Sequence, residues 1–358
     1  MNLGEVGRLA GTLAVAAAGA QACVALGTPL PWFIGPLLAT GACTLAGLRT
    51  RASVRLRNGG LWALGTALGM YFTPAVLLLL QALAPVIAAG AAWALLCGYL
   101  YYHWLWRRCR GLPGLTRETA FFSSAIGGAS EMALLADARG GRVDLVASAH
   151  ALRVMLVVLF IPFAVQWAGV HGNEHYLPAS SQVNWGGLLP LAAATACGSL
   201  LAWRLRIPNA WMLGALSVSV FLAAWGWAPS AFPRPLSNAA QLVLAISLGT
   251  RFQPDFVRAA PRWLIAVATG TVGMIAASAA FAAALGMASG VPAATLVLGT
   301  CPGGMTEMSI TAKVLQLGVP VVTALQLLRY VAVLLLTERI WRWESRRLGA
   351  VSSGPRAP

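Results

Sequence analysis

Charged and apolar positions segregate along this chain rather than alternate. No Asp, Glu, Lys or Arg lies between Arg8 and Arg49, between Arg57 and Arg107, or between Arg153 and Glu174. The same holds from Glu174 to Arg204, from Arg206 to Arg234 and from Arg262 to Glu307. A bilayer core of about 30 Å takes roughly 20 apolar residues per helix, so each run holds one or two spans. The pattern predicts spans over 9–27, 30–48, 58–72, 82–106 and 144–168, and then over 185–203, 208–226, 237–252, 262–286 and 318–341. Residues 73–81 and 253–260 are short, each with a Pro at its start, and read as interfacial pieces. The run from Leu9 reads as a first span rather than a cleavable signal, because further spans follow at once.

The order of these elements repeats. Residues 126–132 read IGGASEM and residues 302–308 read PGGMTEM. A shift of 176 aligns 126–154 with 302–330 at nine identical positions of 29, among them Gly127, Gly128, Glu131, Met132 and Arg153. Ser130 faces Thr306 in that alignment. Upstream, Pro29, Trp32, Gly35 and Leu37 match Pro208, Trp211, Gly214 and Leu216. Asn58, Leu64, Leu68, Gly69, Phe72 and Pro74 match Asn238, Leu244, Leu248, Gly249, Phe252 and Pro254. Blocks in the same order point to two homologous halves, the construction used by secondary transporters. The expected fold is an all-α polytopic membrane protein of two repeats, each with about five spans plus a helix broken at, or re-entrant around, its GG pair. Residues 1–168 form membrane repeat 1, 169–184 an extracytoplasmic linker, 185–347 membrane repeat 2, and 348–358 a disordered tail.

Charge then orients the chain. Of 25 basic residues, 24 are Arg and one is Lys, and cytoplasmic loops carry the excess of such residues. With re-entrant GG segments, 21 basic residues fall inside and only Arg234 and Lys313 outside, Arg153 and Arg329 lying within spans. If the GG segments cross instead, the count is 15 inside and 8 outside. The re-entrant arrangement gives five crossings per half, hence inverted repeats with both termini cytoplasmic.

Composition narrows the function. Apolar residues make up 58% of the chain and charged residues 10%, against roughly 25% charged in soluble domains. That excludes a disordered chain and an ordinary soluble enzyme. The net charge of +15 is no nucleic-acid footprint, because such a footprint needs cations clustered on a solvated face. Direct nucleic-acid binding is not expected; the bilayer is the evident partner, and a second copy of the chain is left open.

The chemistry is expected at the GG motifs. Paired glycines break a helix, and freed backbone is tolerated at membrane depth only when it is buried in protein or lines a wet cavity. A half-helix starting after the glycines would aim N–H groups and a positive dipole end at that cavity. Gly127, Gly128, Ser130 and Glu131, with Gly303, Gly304, Thr306 and Glu307, are the candidate substrate- or ion-binding residues. Ser130 and Thr306 are expected as N-caps. An intramembrane carboxylate is a functional candidate by default, so the two Glu are expected to bind a cation or proton. Each Glu is followed 22 residues later by Arg153 or Arg329, and one turn before each Arg stand His150 and Gln326. The arginines are expected to pair with Glu or with an anionic group; structural Glu–Arg pairs locking the broken helices are the bland alternative.

Other features carry less. His171, Glu174 and His175 have helical spacing but lie in a short linker without a third ligand. His103 stands among Tyr101, Tyr102, Trp104 and Trp106, an aromatic belt. Trp32 and Trp211 read as anchors or packing residues, and Asp144 faces Pro320 across the repeat. The six cysteines form no CxxC pair and read as packing residues. No Walker, GxGxxG or HExxH motif occurs, and no catalytic residues, metal site or cofactor are expected.

The duplicated GG-x-[ST]-E-M motif with its step to Arg, and the P-x-x-W-x-x-G motif opening each half, resemble the membrane AbrB family over about residues 9–345. The resemblance implies a bacterial membrane protein with a duplicated domain. Its members carry labels as transcriptional regulators or ammonia monooxygenases, with a role in regulating gene expression. A regulator that binds DNA needs a soluble basic module, and a copper monooxygenase needs a convergent His-rich site; four scattered histidines do not supply one. The architecture is also similar to cation/proton antiporter and anion transporter groups with broken helices, a likeness of fold alone. The expected function is a secondary transporter or exporter, not an enzyme. The alternatives are a membrane-embedded regulator of gene expression and, more weakly, a membrane monooxygenase.

Overall fold

The computed structural model describes residues 3–169, 177–252 and 261–352, and fifteen helices among them. In the first half these are α1 (Leu3–Ala25), α2 (Pro31–Leu45), α3 (Val54–Gly69), α4 (Pro74–Ala82), α5 (Ala84–Cys109), α6 (Arg117–Ser124), α7 (Ala129–Asp137) and α8 (Val143–Trp167). The second half supplies α9 (Trp185–Arg204), α10 (Ala210–Ala224), α11 (Arg234–Gly249), α12 (Pro261–Ser289), α13 (Ala293–Thr300), α14 (Met305–Val314) and α15 (Val319–Ser352). Every expected span is a helix. The chain is an all-α polytopic membrane protein. Residues 253–260 and the linker residues His171, Glu174 and His175 lie outside the described residues. One boundary moves: α15 runs to Ser352, so residues 348–352, read as disordered tail, continue a helix.

Length sorts the spans into two kinds. Six helices (α1, α5, α8, α9, α12 and α15) are long and apolar enough to cross a membrane by themselves. The second and third helices of each half are shorter, at 15 residues for α2 and α10 and 16 for α3 and α11. At 1.5 Å per residue they reach about 23 Å. Behind α3 the chain turns by 85° into α4, which begins at Pro74 under a Thr73 cap. A separate short helix thus stands where the sequence predicts a short piece at 73–81.

The short helices are held by close backbone contact. They pack with α1 and α9 into one bundle, α1–α3 with α9–α11. A Cβ on Gly35 would stand 2.7 Å from the Ala20 nitrogen of α1, and one on Gly214 2.6 Å from Ser199 Cα of α9. Only hydrogen fits at either crossing. Both short helices also start from a left-handed residue, Leu30 at φ 48° and Asn209 at φ 52°. That is a costly conformation for a side-chain-bearing residue; at Leu30 it accompanies complete burial.

The second bundle comprises α5–α8 and α12–α15. Its cores gather around Tyr101 and Trp263, and around Tyr102, Phe122 and Trp341. A larger core joins the bundles through Val157, Val158, Ile161 and Val165 of α8, together with residues of α13–α15.

Contacts between distant segments sort helix ends into two faces. Arg8, Thr44, residues 47–51 and Thr250 surround one cavity. Trp263 Nε1 donates to Leu145 O at 3.2 Å, Tyr99 OH to Glu344 Oε2 at 2.8 Å, and Arg139 pairs with Glu338 at 2.5 Å. All of these residues lie on the face the span count makes arginine-rich. On the opposite face Ala179 N–H donates to Met70 O at 2.8 Å and Ala231 N–H to Gln182 O at 2.9 Å. Lys313 Nζ stands 5.9 Å from the Tyr71 ring there.

Candidate functional site

Each GG motif lies at the tip of a helical hairpin that returns to its starting point. In the first, α6 and α7 are antiparallel arms whose ends meet, with Arg142 N–H donating to Thr119 Oγ1 at 2.9 Å. In the second, α13 and α14 close in the same way, and a Cβ on Gly318 would lie 2.7 Å from Thr295 Cγ2. Entry and exit on one face is the re-entrant geometry that the arginine count favours.

The break frees the last carbonyls of α6 and α13, and buried side chains take them up. His150 Nε2 donates to Phe122 O at 2.9 Å, and Gln326 Nε2 to Leu298 O at 2.7 Å. These donors and these acceptors are each 176 residues apart. A donating Nε2 leaves His150 Nδ1 as acceptor, and it accepts from Arg153 Nη2 at 2.8 Å. Arg153 Nη1 reaches Ser123 O at 3.4 Å. Arg329 binds its hairpin more tightly, donating to Cys301 O at 2.8 Å and to Gly303 O at 2.6 Å.

Glu–Arg pairing is therefore corrected. Neither Arg153 nor Arg329, 2% and 4% exposed, is ion-paired among the described residues. The physical reason is the helix break, which offers fixed carbonyls at the depth the guanidinium groups occupy. Each Arg stands ten residues past the start of its helix, about 15 Å along it, or half of a ~30 Å apolar core. The helices start on opposite faces, so both arginines arrive at mid-depth. Arg153 Nε, Arg329 Nε, Ser123 Oγ and Gln326 Oε1 are buried without a hydrogen-bond partner.

The capping expectation is corrected as well. The N-caps are Gly128 and Gly304, without a side-chain cap, and α7 and α14 begin one residue later. Ser130 and Thr306 therefore stand second in their helices, and Glu131 and Glu307 third. From the third position a carboxylate can turn back toward the N-cap, and both do. A Cβ on Gly128 would overlap Glu131 Oε2, and one on Gly304 would overlap Glu307 Oε2. Gly127 and Gly303 are crowded too, by Met132 and Met308.

The two tips match in sequence and differ in surroundings. Ser130 is exposed and Thr306 is buried, its hydroxyl directed at Met212 Sδ of α10, 3.7 Å away. Both Glu are half-buried. Glu131 Oε1 accepts from Tyr330 OH at 3.2 Å. Glu307 instead lies within electrostatic reach of Arg57, Arg251 and Arg329. Thus the second tip docks against the short-helix bundle.

Arg57, Arg251 and Tyr330 belong beside the predicted residues. The first two are counted as loop charges in the span pattern. A signal was present nonetheless: the repeat places Arg251 opposite Tyr71, so one half carries a cation the other lacks. Trp32 and Trp211 are partly buried packing residues. His103 lies edge-on to Tyr99 at 4.6 Å within its aromatic cluster. Among the described residues no three His, Cys, Asp or Glu side chains converge.

Comparison with known proteins gives a family match along most of the chain. The model of the AbrB family, described as transition state regulatory protein AbrB, matches residues 32–345. The chain is similar to the protein YhjN of Bacillus subtilis (strain 168), with 27% identity over 92% of this chain and 91% of that protein. It is also similar to an Escherichia coli (strain K12) protein described as a candidate regulator AbrB, with 25% identity over 90% of this chain and 92% of that one.

Proposed function

The chain belongs to the AbrB family, and from that premise we propose that it is a secondary transporter or exporter whose site is the pair of hairpin tips. The observation that carries the reading is that each broken hairpin holds a buried arginine through its main chain, neither arginine being ion-paired among the described residues. A purely structural core has no need of two like charges and four unpartnered polar atoms there. Broken elements entering from opposite faces, with ionisable groups at their tips, suit a substrate site reached alternately from either side.

The bundle arrangement supplies the moving parts. The second tip packs on the short-helix bundle through Thr306 and Met212, while Ser130 of the first stays exposed. Rocking one bundle against the other would exchange those environments. Glu131 and Glu307 would hold a proton or cation, with the hydroxyls and tip N–H groups contacting substrate. In this reading the halves are inverted repeats, the arginine-rich face is cytoplasmic, and both termini lie there, in a bacterial inner membrane.

The test is reconstitution of the full chain in proteoliposomes, with candidate metabolites applied to one side and internal pH and substrate uptake recorded. Transport by the protein alone supports the reading; its absence across substrate classes, with function restored only by a cytoplasmic partner, overturns it. A second reading, a membrane-embedded regulator of gene expression, is favoured by the name of the Escherichia coli relative. It predicts that Glu131→Gln and Glu307→Gln leave signalling intact.

A further inference from the structure

A cavity of about 450 Å³ opens at the arginine-rich end of the short-helix bundle, apart from the hairpin tips. Sites for small ligands span roughly 300–1,000 Å³. Its walls carry Arg8, Arg49 and Arg51 with Thr44, Thr50 and Thr250, drawn from α1, from the end of α2 and the loop behind it, and from the end of α11. We propose that this cavity binds a phosphate-type anion.

The walls are fixed by the chain itself. Gly47, at φ 82°, ends α2, and Leu48 N–H closes the turn on Cys43 O at 3.0 Å. That turn and its neighbours occupy the carbonyls of Ala42, Cys43 and Thr44. The loop is tied to α1 twice: Arg51 N–H donates to Thr12 Oγ1 at 3.0 Å, and the Arg51 guanidinium meets Glu5 at 2.6 Å. Thr44 and Thr50 share a hydroxyl hydrogen bond of 2.6 Å across the floor.

Charge selects the occupant. Three guanidinium groups surround the space, and Glu5, already engaged by Arg51, is the carboxylate bonded to them. Arg8 and Arg49 are exposed and form no ion pair among the described residues. A guanidinium fork matches the edge of a phosphate group with two parallel hydrogen bonds; the threonine hydroxyl protons are engaged within the protein, Thr44 with Thr40 O at 2.7 Å and Thr50 with Thr44 Oγ1 at 2.6 Å, so the arginines carry the recognition. A phospholipid headgroup and a free phosphate ion present the same chemistry. The cavity stands at membrane-face level, where either can reach it.

The test uses the full chain in neutral detergent, with inorganic phosphate, dioctanoyl-phosphatidylglycerol and dioctanoyl-phosphatidylcholine as probes and melting temperature as readout. A rise with phosphate alone, or with phosphate and phosphatidylglycerol, assigns the site to a free anion; a rise with phosphatidylglycerol alone assigns it to a lipid headgroup. In either case Arg8→Gln with Arg49→Gln weakens the effect roughly tenfold or more. Arg108→Gln with Arg110→Gln, on the same face but outside the cavity, leaves it unchanged. No rise with phosphate or phosphatidylglycerol, an equal rise with phosphatidylcholine, or equal losses in both double variants overturns the proposal.

Discussion

Replacing the two buried arginines separately tests whether they work through the hairpin carbonyls. The repeat makes them equivalent, yet their bonds are not. Arg329→Gln removes the donors to Cys301 O and Gly303 O, at 2.8 and 2.6 Å. Arg153→Gln removes one long bond to Ser123 O, at 3.4 Å, and one to His150 Nδ1 at 2.8 Å. Leaving a buried acceptor unsatisfied costs about 1–3 kcal/mol. In the Arg329 variant Cys301 O keeps the Gly303 N–H at 2.8 Å, so Gly303 O is the carbonyl left bare, for about 1–3 kcal/mol. In the Arg153 variant Phe122 O keeps its His150 donor, and the acceptor that loses a short bond is His150 Nδ1, again for about 1–3 kcal/mol. A loss near 2 kcal/mol corresponds to about 4 °C in melting temperature at roughly 2 °C per kcal/mol. Tryptophan fluorescence of the purified variants during heating reads it directly. An unchanged melting temperature in the Arg329→Gln variant would refute the carbonyl-capping argument.

Other outcomes follow from the same geometry. Glu131→Gln and Glu307→Gln should each abolish coupled transport in proteoliposomes while leaving melting within about 2 °C of the parent, because neither carboxylate is ion-paired; full transport by both variants sinks the site. Gly35→Ala and Gly214→Ala should each destabilise by about 1–3 kcal/mol, since the new methyl meets backbone rather than a movable side chain; unchanged thermal unfolding would show that the crossings have slack. A cysteine placed at Ser181 should react with a membrane-impermeant maleimide on intact cells, and one at Gly111 only after permeabilisation. The reverse pattern overturns the orientation.

Much of the fold can be read from the chain because the bilayer imposes a simple rule on charge, and the runs free of Asp, Glu, Lys and Arg obey it. The hairpins were legible for a related reason: a crossing would have carried arginines to the wrong face. The partners of Arg153 and Arg329 were not legible. Sequence displays the carboxylates of Glu131 and Glu307 as the obvious counter-charges, whereas carbonyl oxygens become acceptors only where a helix stops. The unequal surroundings of Ser130 and Thr306 were hidden too. Identical motifs say nothing about which tip rests on α10, because that choice belongs to the arrangement of the bundles. Arg57 and Arg251 were read as orienting charges; their reach toward Glu307 depends on where α3 starts and α11 ends relative to the second tip.

The arginine bonds to Ser123, Cys301 and Gly303 end on main-chain oxygen, and this has a genetic consequence. An acceptor of that kind is present whatever residue is encoded, so no codon change at these positions removes it. Lesions in the network should therefore map to Arg153, Arg329, His150 and Gln326 rather than to Ser123 and Cys301, whereas Gly303 is constrained separately by the Met308 side chain packed against it. Charge-reversal suppressors should fail as well: Arg329→Glu cannot be rescued by Glu307→Arg, because the lost partner was never a side chain.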